Sequence, residues 1–264
     1  MADPAFGVLL GVAYDGGPFS GFARQPEART IAGELDGAVR AIDPSASLVR
    51  GVSRTDAGVH ARAQCVAFDT AKDIPPRGWA LALAQHLPDE ISVVRAARVP
   101  AGYDPRSHAR TKTYRYSLLE RLVRDPFLSR YTWRVAERLN HPRMAEEAHA
   151  LLGEHDFRAF RAAADPREDT IRHILRADLE PSSEGRLHIV VTGNRFLYKM
   201  MRIIAGTLVD VGRGRLEPGA VRRGLASGSR ALLGVTAPPD GLCLEQVTLD
   251  EAGVEAWPDQ FPRD

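Results

Sequence analysis

From Val8 to Tyr14 the chain is apolar almost without interruption, and it then meets Asp15-Gly16-Gly17-Pro18. That pattern predicts a buried strand closed by a turn. Ile31, Leu35, Ala38 or Val39, and Ile42 follow a helical period that stops at Asp43-Pro44. Two short strand patterns, Leu48–Val52 and Gln64–Phe68, flank a polar stretch from Ser53 to Arg62. Trp79 to Leu87 is helical and closed by Pro88, and Ile91 to Val99 is strand-like. Lys112 to Leu119 alternates, which puts Tyr114, Tyr116 and Leu118 on one face of a strand. Pro142 to Leu152 predicts a helix with proline in its first turn and Gly153 after its end. Ile171–Leu179 and Leu187–Thr192 predict a strand pair, and Leu242–Leu249 a final strand. The strongest helical period runs from Arg195 to Val211, where Leu197, Met201, Ile204, Leu208 and Val211 recur at steps of 4, 3, 4 and 3.

Strands and helices mixed in this order favour an α+β fold over a doubly wound parallel sheet. Helix-flanked strand groups recur in both halves, so two lobes are expected, residues 1–105 and 106–264. A chain of 264 residues with 44% hydrophobic and 26% charged positions is neither a disordered tail, a collagen-like rod nor a small disulfide scaffold. It holds no apolar stretch of about 18 residues or more, so no membrane span is expected. No basic stretch precedes the short apolar run at Val8–Val12, which does not read as a signal peptide. Cys65 and Cys243 are the only cysteines, both in alternating apolar segments; buried free thiols and a cytoplasmic location are expected.

The net charge of +1 conceals a strong segregation. Of the 35 basic residues only Lys72, Lys112 and Lys199 are lysines, leaving 32 arginines. Arg106–Arg134 carries eight Lys/Arg against Glu120 and Asp125, and Arg195–Arg230 eight against Asp210 and Glu217, a net +6 each. The last fifteen residues carry a net −4. One positive face on a neutral protein suits an RNA-binding enzyme; solvated surface arginine gives the same counts.

Three constellations can carry chemistry. In Gly51-Val52-Ser53-Arg54-Thr55-Asp56-Ala57-Gly58-Val59-His60-Ala61, a carboxylate follows a strand and precedes small residues that admit another molecule. Asp56 there can serve as nucleophile or general base, and Arg54 can hold RNA or the carboxylate. An Asx turn in which Asp56 caps local N–H groups fits the same residues, and His60 reads as structural. On the 195–211 helix, Arg195, Lys199 and Arg202 fall at i, i+4 and i+7, a stripe that calls for carboxylates or phosphates unless it is a solvated edge. In Arg110-Thr111-Lys112-Thr113-Tyr114-Arg115-Tyr116 aromatics interleave with cations, as in platforms that stack a displaced base; core tyrosines on a strand are the alternative. No P-loop, dinucleotide glycine pattern or metal-ligand spacing occurs, so neither cofactor nor metal is expected.

Ser53–Ala61 resembles the signature around the catalytic aspartate of the tRNA pseudouridine synthase A family. Tyr14–Phe22 resembles that family's N-terminal motif, Tyr103–Tyr116 the segment bearing a tyrosine that stacks on the target uracil, and Gly153–Phe160 a marker of the second half. Phe196–Arg202 resembles the helix whose arginine pairs with the aspartate, and Ala237–Leu242 the C-terminal motif. The resemblance implies the pseudouridine synthase fold, two similar lobes of mostly antiparallel sheet flanked by helices with a catalytic cleft between them. It also implies conversion of uridine to pseudouridine at positions 38, 39 and 40 of the tRNA anticodon stem-loop by a homodimer without a cofactor. Asp56 is then the catalytic residue, Arg202 its cationic partner, Tyr114 the stacking platform and Arg54 a substrate contact. Phe22, Ala23, Ala32, Ala82, Lys199 and Ile203 depart from the family pattern and bear on RNA docking, leaving Asp56, Tyr114 and Arg202 intact.

Overall fold

The apolar run at the start of the chain is β1 (Phe6–Tyr14); Val8, Leu9, Leu10 and Val12 are buried, and a strand pairs with β1 on each side. Those neighbours are β3 (His60–Thr70) and β4 (Ile91–Val99), both antiparallel, so that Leu9 faces Ala67 on one and Ala97 on the other. A two-residue strand, β2 (Arg50–Gly51), pairs with β3. The computed structural model describes residues 6–250 and Val254. The chain divides into two compact units, Met1–Arg110 with Leu244–Asp264, and Thr111–Cys243.

In the first unit the strand order is β4–β1–β3–β10, where β10 is Leu242–Leu249. The last strand, which the sequence puts at the end of the second lobe, thus belongs from Leu244 onward to the first unit. Helix α1 (Ile31–Ile42) starts at Thr30, whose hydroxyl accepts the Gly33 N–H at 3.2 Å, and it buries Ile31, Leu35, Ala38 and Val39. Helix α2 (Pro76–Leu83) has proline in its first turn and ends four residues before the predicted Leu87. Beyond it the main chain tightens into i→i+3 bonds, Gln85 to Ala82 and His86 to Leu83. Its Trp79 is fully buried and meets the Phe68 ring edge-on at 4.9 Å.

The second unit has the antiparallel order β5–β9–β8–β7, with β5 (Ala109–Glu120), β7 (Gly153–Asp156), β8 (Ile171–Pro181) and β9 (Arg186–Gly193). A short β6 (Trp133–Val135) lies parallel to β5. Alternation along β5 buries Tyr114, Tyr116 and Leu118, as predicted. Helix α3 (His141–His149) packs on β8 and on α4 (Met200–Gly212), and α5 (Ala220–Ser227) adjoins both helices. All thirteen residues of α4 are buried except Arg202.

The helix predicted from Arg195 begins only at Met200. Lys199, its N-cap, takes the left-handed φ of 60°, and the backbone groups of the preceding loop bond sideways. The Phe196 carbonyl accepts from Arg167, and the Tyr198 N–H donates to Asp165. Arg195 and Lys199 therefore lie outside the helix, and the three-cation stripe does not exist. Of the acidic C-terminal stretch only Asp250 and Val254 are among the described residues. Asp250 pairs with His108 at 2.7 Å and Arg110 at 3.0 Å. Among the described residues no helix is long and apolar enough to cross a membrane.

Candidate active site

The Ser53–Val59 loop leaves β2 and enters β3, and its burial alternates: Ser53 and Thr55 are buried, Arg54 and Ala57 exposed, and Asp56 half-buried. Each buried position is pinned. Gln64, with no exposed surface, accepts the Ser53 N–H at 3.2 Å and donates to the Ser53 carbonyl at 2.7 Å. Tyr14 Oη lies 2.8 Å from Thr55 Oγ1, and the Phe22 N–H donates to the Thr55 carbonyl at 3.0 Å. The Val59 N–H then donates to the Asp56 main-chain carbonyl at 3.1 Å, with Gly58 at φ 79° in the third position. That is the type II turn pattern, in which glycine meets the positive φ at no steric cost. The turn thus closes through the backbone of Asp56.

Neighbouring loops brace this turn. His60 is 6% exposed, and its Nδ1 accepts the Gly16 N–H at 3.1 Å, with Asp15 Oδ1 at 3.1 Å from the same nitrogen. A main-chain N–H only donates, so Nδ1 is the acceptor there, and His60 serves the loop architecture. A Cβ on Gly16 would stand 2.0 Å from the Val59 carbonyl oxygen, so only glycine admits the approach. Phe22, one of the departures from the family pattern, lays its ring on Gly51, where an added Cβ would come within 2.3 Å of the ring.

Two ion pairs fix the stretch that leads into the loop. Asp36 on α1 accepts the Val49 N–H at 2.8 Å and Arg24 Nη2 at 2.6 Å. Arg50 grips Asp69 with both terminal nitrogens at 2.7 and 2.9 Å and also reaches the Tyr103 carbonyl. Burial pushes the Asp69 carboxyl up, but the Arg50 fork and the Gly102 N–H hold it below the ordinary carboxylate range.

The second unit carries the other two predicted residues. Tyr114 on β5 is 8% exposed, and its ring meets Phe196 edge-on at 4.8 Å. Two positions along, Tyr116 is fully buried, donates its hydroxyl to the Pro238 carbonyl at 2.8 Å, and has its phenol pushed far up by burial. Tyr116 is thus a core residue that anchors the Ala237–Leu242 segment. Arg202 is tied to the same segment twice: its Nε donates to the Ala237 carbonyl at 2.7 Å, and its own carbonyl accepts the Ala237 N–H at 3.0 Å. Asp56 and Arg54 therefore share one pinned loop of the first unit, while Tyr114 and Arg202 belong to the second.

The sequence pointed to neither Gln64 nor Asp165. Asp165 is bonded bidentately to Arg167, with Nε–Oδ1 at 2.8 Å and Nη2–Oδ2 at 2.6 Å. The one available signal for Gln64 is an amide in the otherwise apolar run Gln64–Phe68. Among the described residues no group of three or more His, Cys, Asp or Glu could hold a metal ion.

A family described as tRNA pseudouridine synthase matches the chain over residues 11–106 and 148–250. Asp56 and Arg54 fall in the first matched stretch and Arg202 in the second, with Tyr114 between them. The chain is similar to the tRNA pseudouridine synthase A of Halalkalibacterium halodurans, 43% identical over 235 residues, which cover 88% of this chain and 89% of that one. The protein of the same name from Brevibacillus brevis is 40% identical over 236 residues, 89% of this chain and 96% of that one. That from Bacillus subtilis is 40% identical over 241 residues, 90% and 97% of the two chains.

Proposed function

Because the chain belongs to the tRNA pseudouridine synthase family and is an isomerase acting on tRNA, we propose that its substrate is uridine at positions 38, 39 and 40 of the anticodon stem-loop. The reaction breaks the N1–C1′ glycosidic bond and forms a C5–C1′ bond; the proton leaves C5 and N1 gains one, so the balance needs no redox partner. The target base first leaves its stack, at a cost of a few kcal/mol. In this reading Arg54 contacts the RNA at the vacated space, Tyr114 stacks on the flipped base, and Asp56 starts the glycosidic exchange. Arg202 supplies the cation that supports Asp56. The enzyme works as a homodimer in the cytoplasm, without a cofactor.

The observation that carries the reading is the pinned loop. Ser53, Thr55 and the Asp56 carbonyl are each held by a named partner, with exposed Arg54 and half-buried Asp56 between the anchors. A loop whose backbone is fixed before substrate arrives presents its reactive side chains from a set position, which the glycosidic exchange can use.

The test is pseudouridine mapping on an unmodified tRNA bearing uridines at 38, 39 and 40, with the wild-type chain and Asp56→Asn. Pseudouridine at those positions with wild type alone is the expected result. Modification at other positions overturns the site, and tRNA binding without conversion overturns the assignment of Asp56 chemistry to this chain. Arg202→Ala is expected to cut turnover more than tRNA affinity.

A further inference from the structure

We propose that Asp165 and Arg167 are positioning residues for the isomerisation, acting through Phe196 and the first turn of α4. The inference rests on the reading of Tyr114 and Arg202 as reaction residues. Asp165 has only 1% of its side chain exposed and accepts from the Arg167 N–H at 3.2 Å, Arg167 Nε at 2.8 Å, Arg167 Nη2 at 2.6 Å and the Tyr198 N–H at 2.8 Å. Four donors saturate a carboxylate, and Arg167 foremost among them holds the group well below its usual range. Arg167 then donates its Nη1 to the Phe196 carbonyl at 3.0 Å. The pair therefore grips the backbone on both sides of Leu197, while the Ala162 N–H donates to the Tyr198 carbonyl at 3.1 Å.

Everything held by this clamp leads to the proposed chemistry. On one side the Phe196 ring is set edge-on against Tyr114 at 4.8 Å. On the other, Lys199 is turned into the left-handed region, and α4 starts with Met200 bonded to Leu197 at 3.1 Å. The rotation of that first turn fixes where Arg202, three residues on from Lys199, leaves the helix. An ion pair by itself is weak evidence for stability; one that spends its remaining bonds on two specific peptide groups sets geometry. Catalysis is sensitive to such geometry, because a displacement of about 1 Å can cost about a hundredfold.

The experiment compares wild type, Asp165→Asn and Arg167→Lys by melting temperature, tRNA affinity and the single-turnover rate of pseudouridine formation at saturating enzyme. Asp165→Asn is expected to lower the single-turnover rate by about ten- to a hundredfold with tRNA affinity within about threefold of wild type. Arg167→Lys keeps the charge but loses the fork, and it is expected to show the same split more weakly. If the melting temperature falls while the rate of the folded protein stays within about threefold of wild type, the clamp serves the fold alone and the proposal is overturned. Should Asp165→Asn fail to fold, Arg167→Lys decides on the same criteria, since its side chain is 45% exposed. A wild-type chain that makes no pseudouridine overturns the functional reading and this inference with it; an active wild type beside full-rate variants overturns the inference alone.

Discussion

A primary amide buried among apolar neighbours is tolerated only when its polar ends are occupied, and Gln64 occupies both by holding the N–H and the carbonyl of Ser53. Removing it strands two main-chain groups at a position that is 5% exposed. Gln64→Leu is therefore expected to cost about 1–3 kcal/mol in denaturant unfolding and to lower turnover, because the anchor of the Asp56 loop goes with it. Unchanged stability and turnover would remove Gln64 from the account. Asp56 and Arg54 stood out in the sequence because polar residues and glycine interrupt two strand patterns there. Gln64 did not, since it continues an apolar alternation and its partners lie eleven residues earlier in a loop. Asp165 and Arg167 were equally silent: they lie in a stretch without periodicity, and their targets at 196 and 198 are set by folding rather than by spacing.

At the scale of elements, α1 and β1 were legible because burial follows the local pattern. The start of α4 was not, because the apolar spacing of Leu197 and Met201 continues through a loop whose backbone is bonded elsewhere. Strand β7 was missed because its four residues, Gly-Glu-His-Asp, are mostly polar, and α5 because its eight residues are too few to repeat a helical period along the chain. The seat of α4 is tight at Gly206, where an added Cβ would stand 1.8 Å from the Val235 carbonyl oxygen. Backbone cannot yield as a side-chain tip can. Gly206→Ala is expected to lose about 1–3 kcal/mol despite the better helix propensity of alanine, readable as a lowered urea midpoint. A stabilised variant would show that the Val235 segment moves freely away from the helix.

For the whole molecule, acid sensitivity follows from carboxylates held below their ordinary range. Asp156 is lowered to about 2, first by the Arg158 hydrogen bond and then by Thr170; Asp43, Asp69 and Asp165 are lowered as well. A depressed folded value stabilises above the unfolded value, and the contribution is lost as pH falls through the folded one. The melting temperature is therefore expected to hold from neutral pH down to about 5 and then to fall steeply as pH drops from about 4 toward 2. Asp156→Asn is expected to be less stable than wild type at pH 6, with the two curves converging as acid is added. Parallel curves across that range would show that Asp156 contributes no linked stability.

The first unit takes its strands from both ends of the chain, since β10 completes the order β4–β1–β3–β10. Synthesis runs in one direction, so β3 leaves the ribosome with one edge covered only at Val66 and Ala67 by β2, and the rest waits through the whole of Thr111–Cys243 for its neighbour. The second unit, contiguous in the chain, is free to fold first. The nascent chain thus carries an open sheet edge, a template for aggregation, over the time needed to translate half of the protein, and that interval is where holdase chaperones would find it.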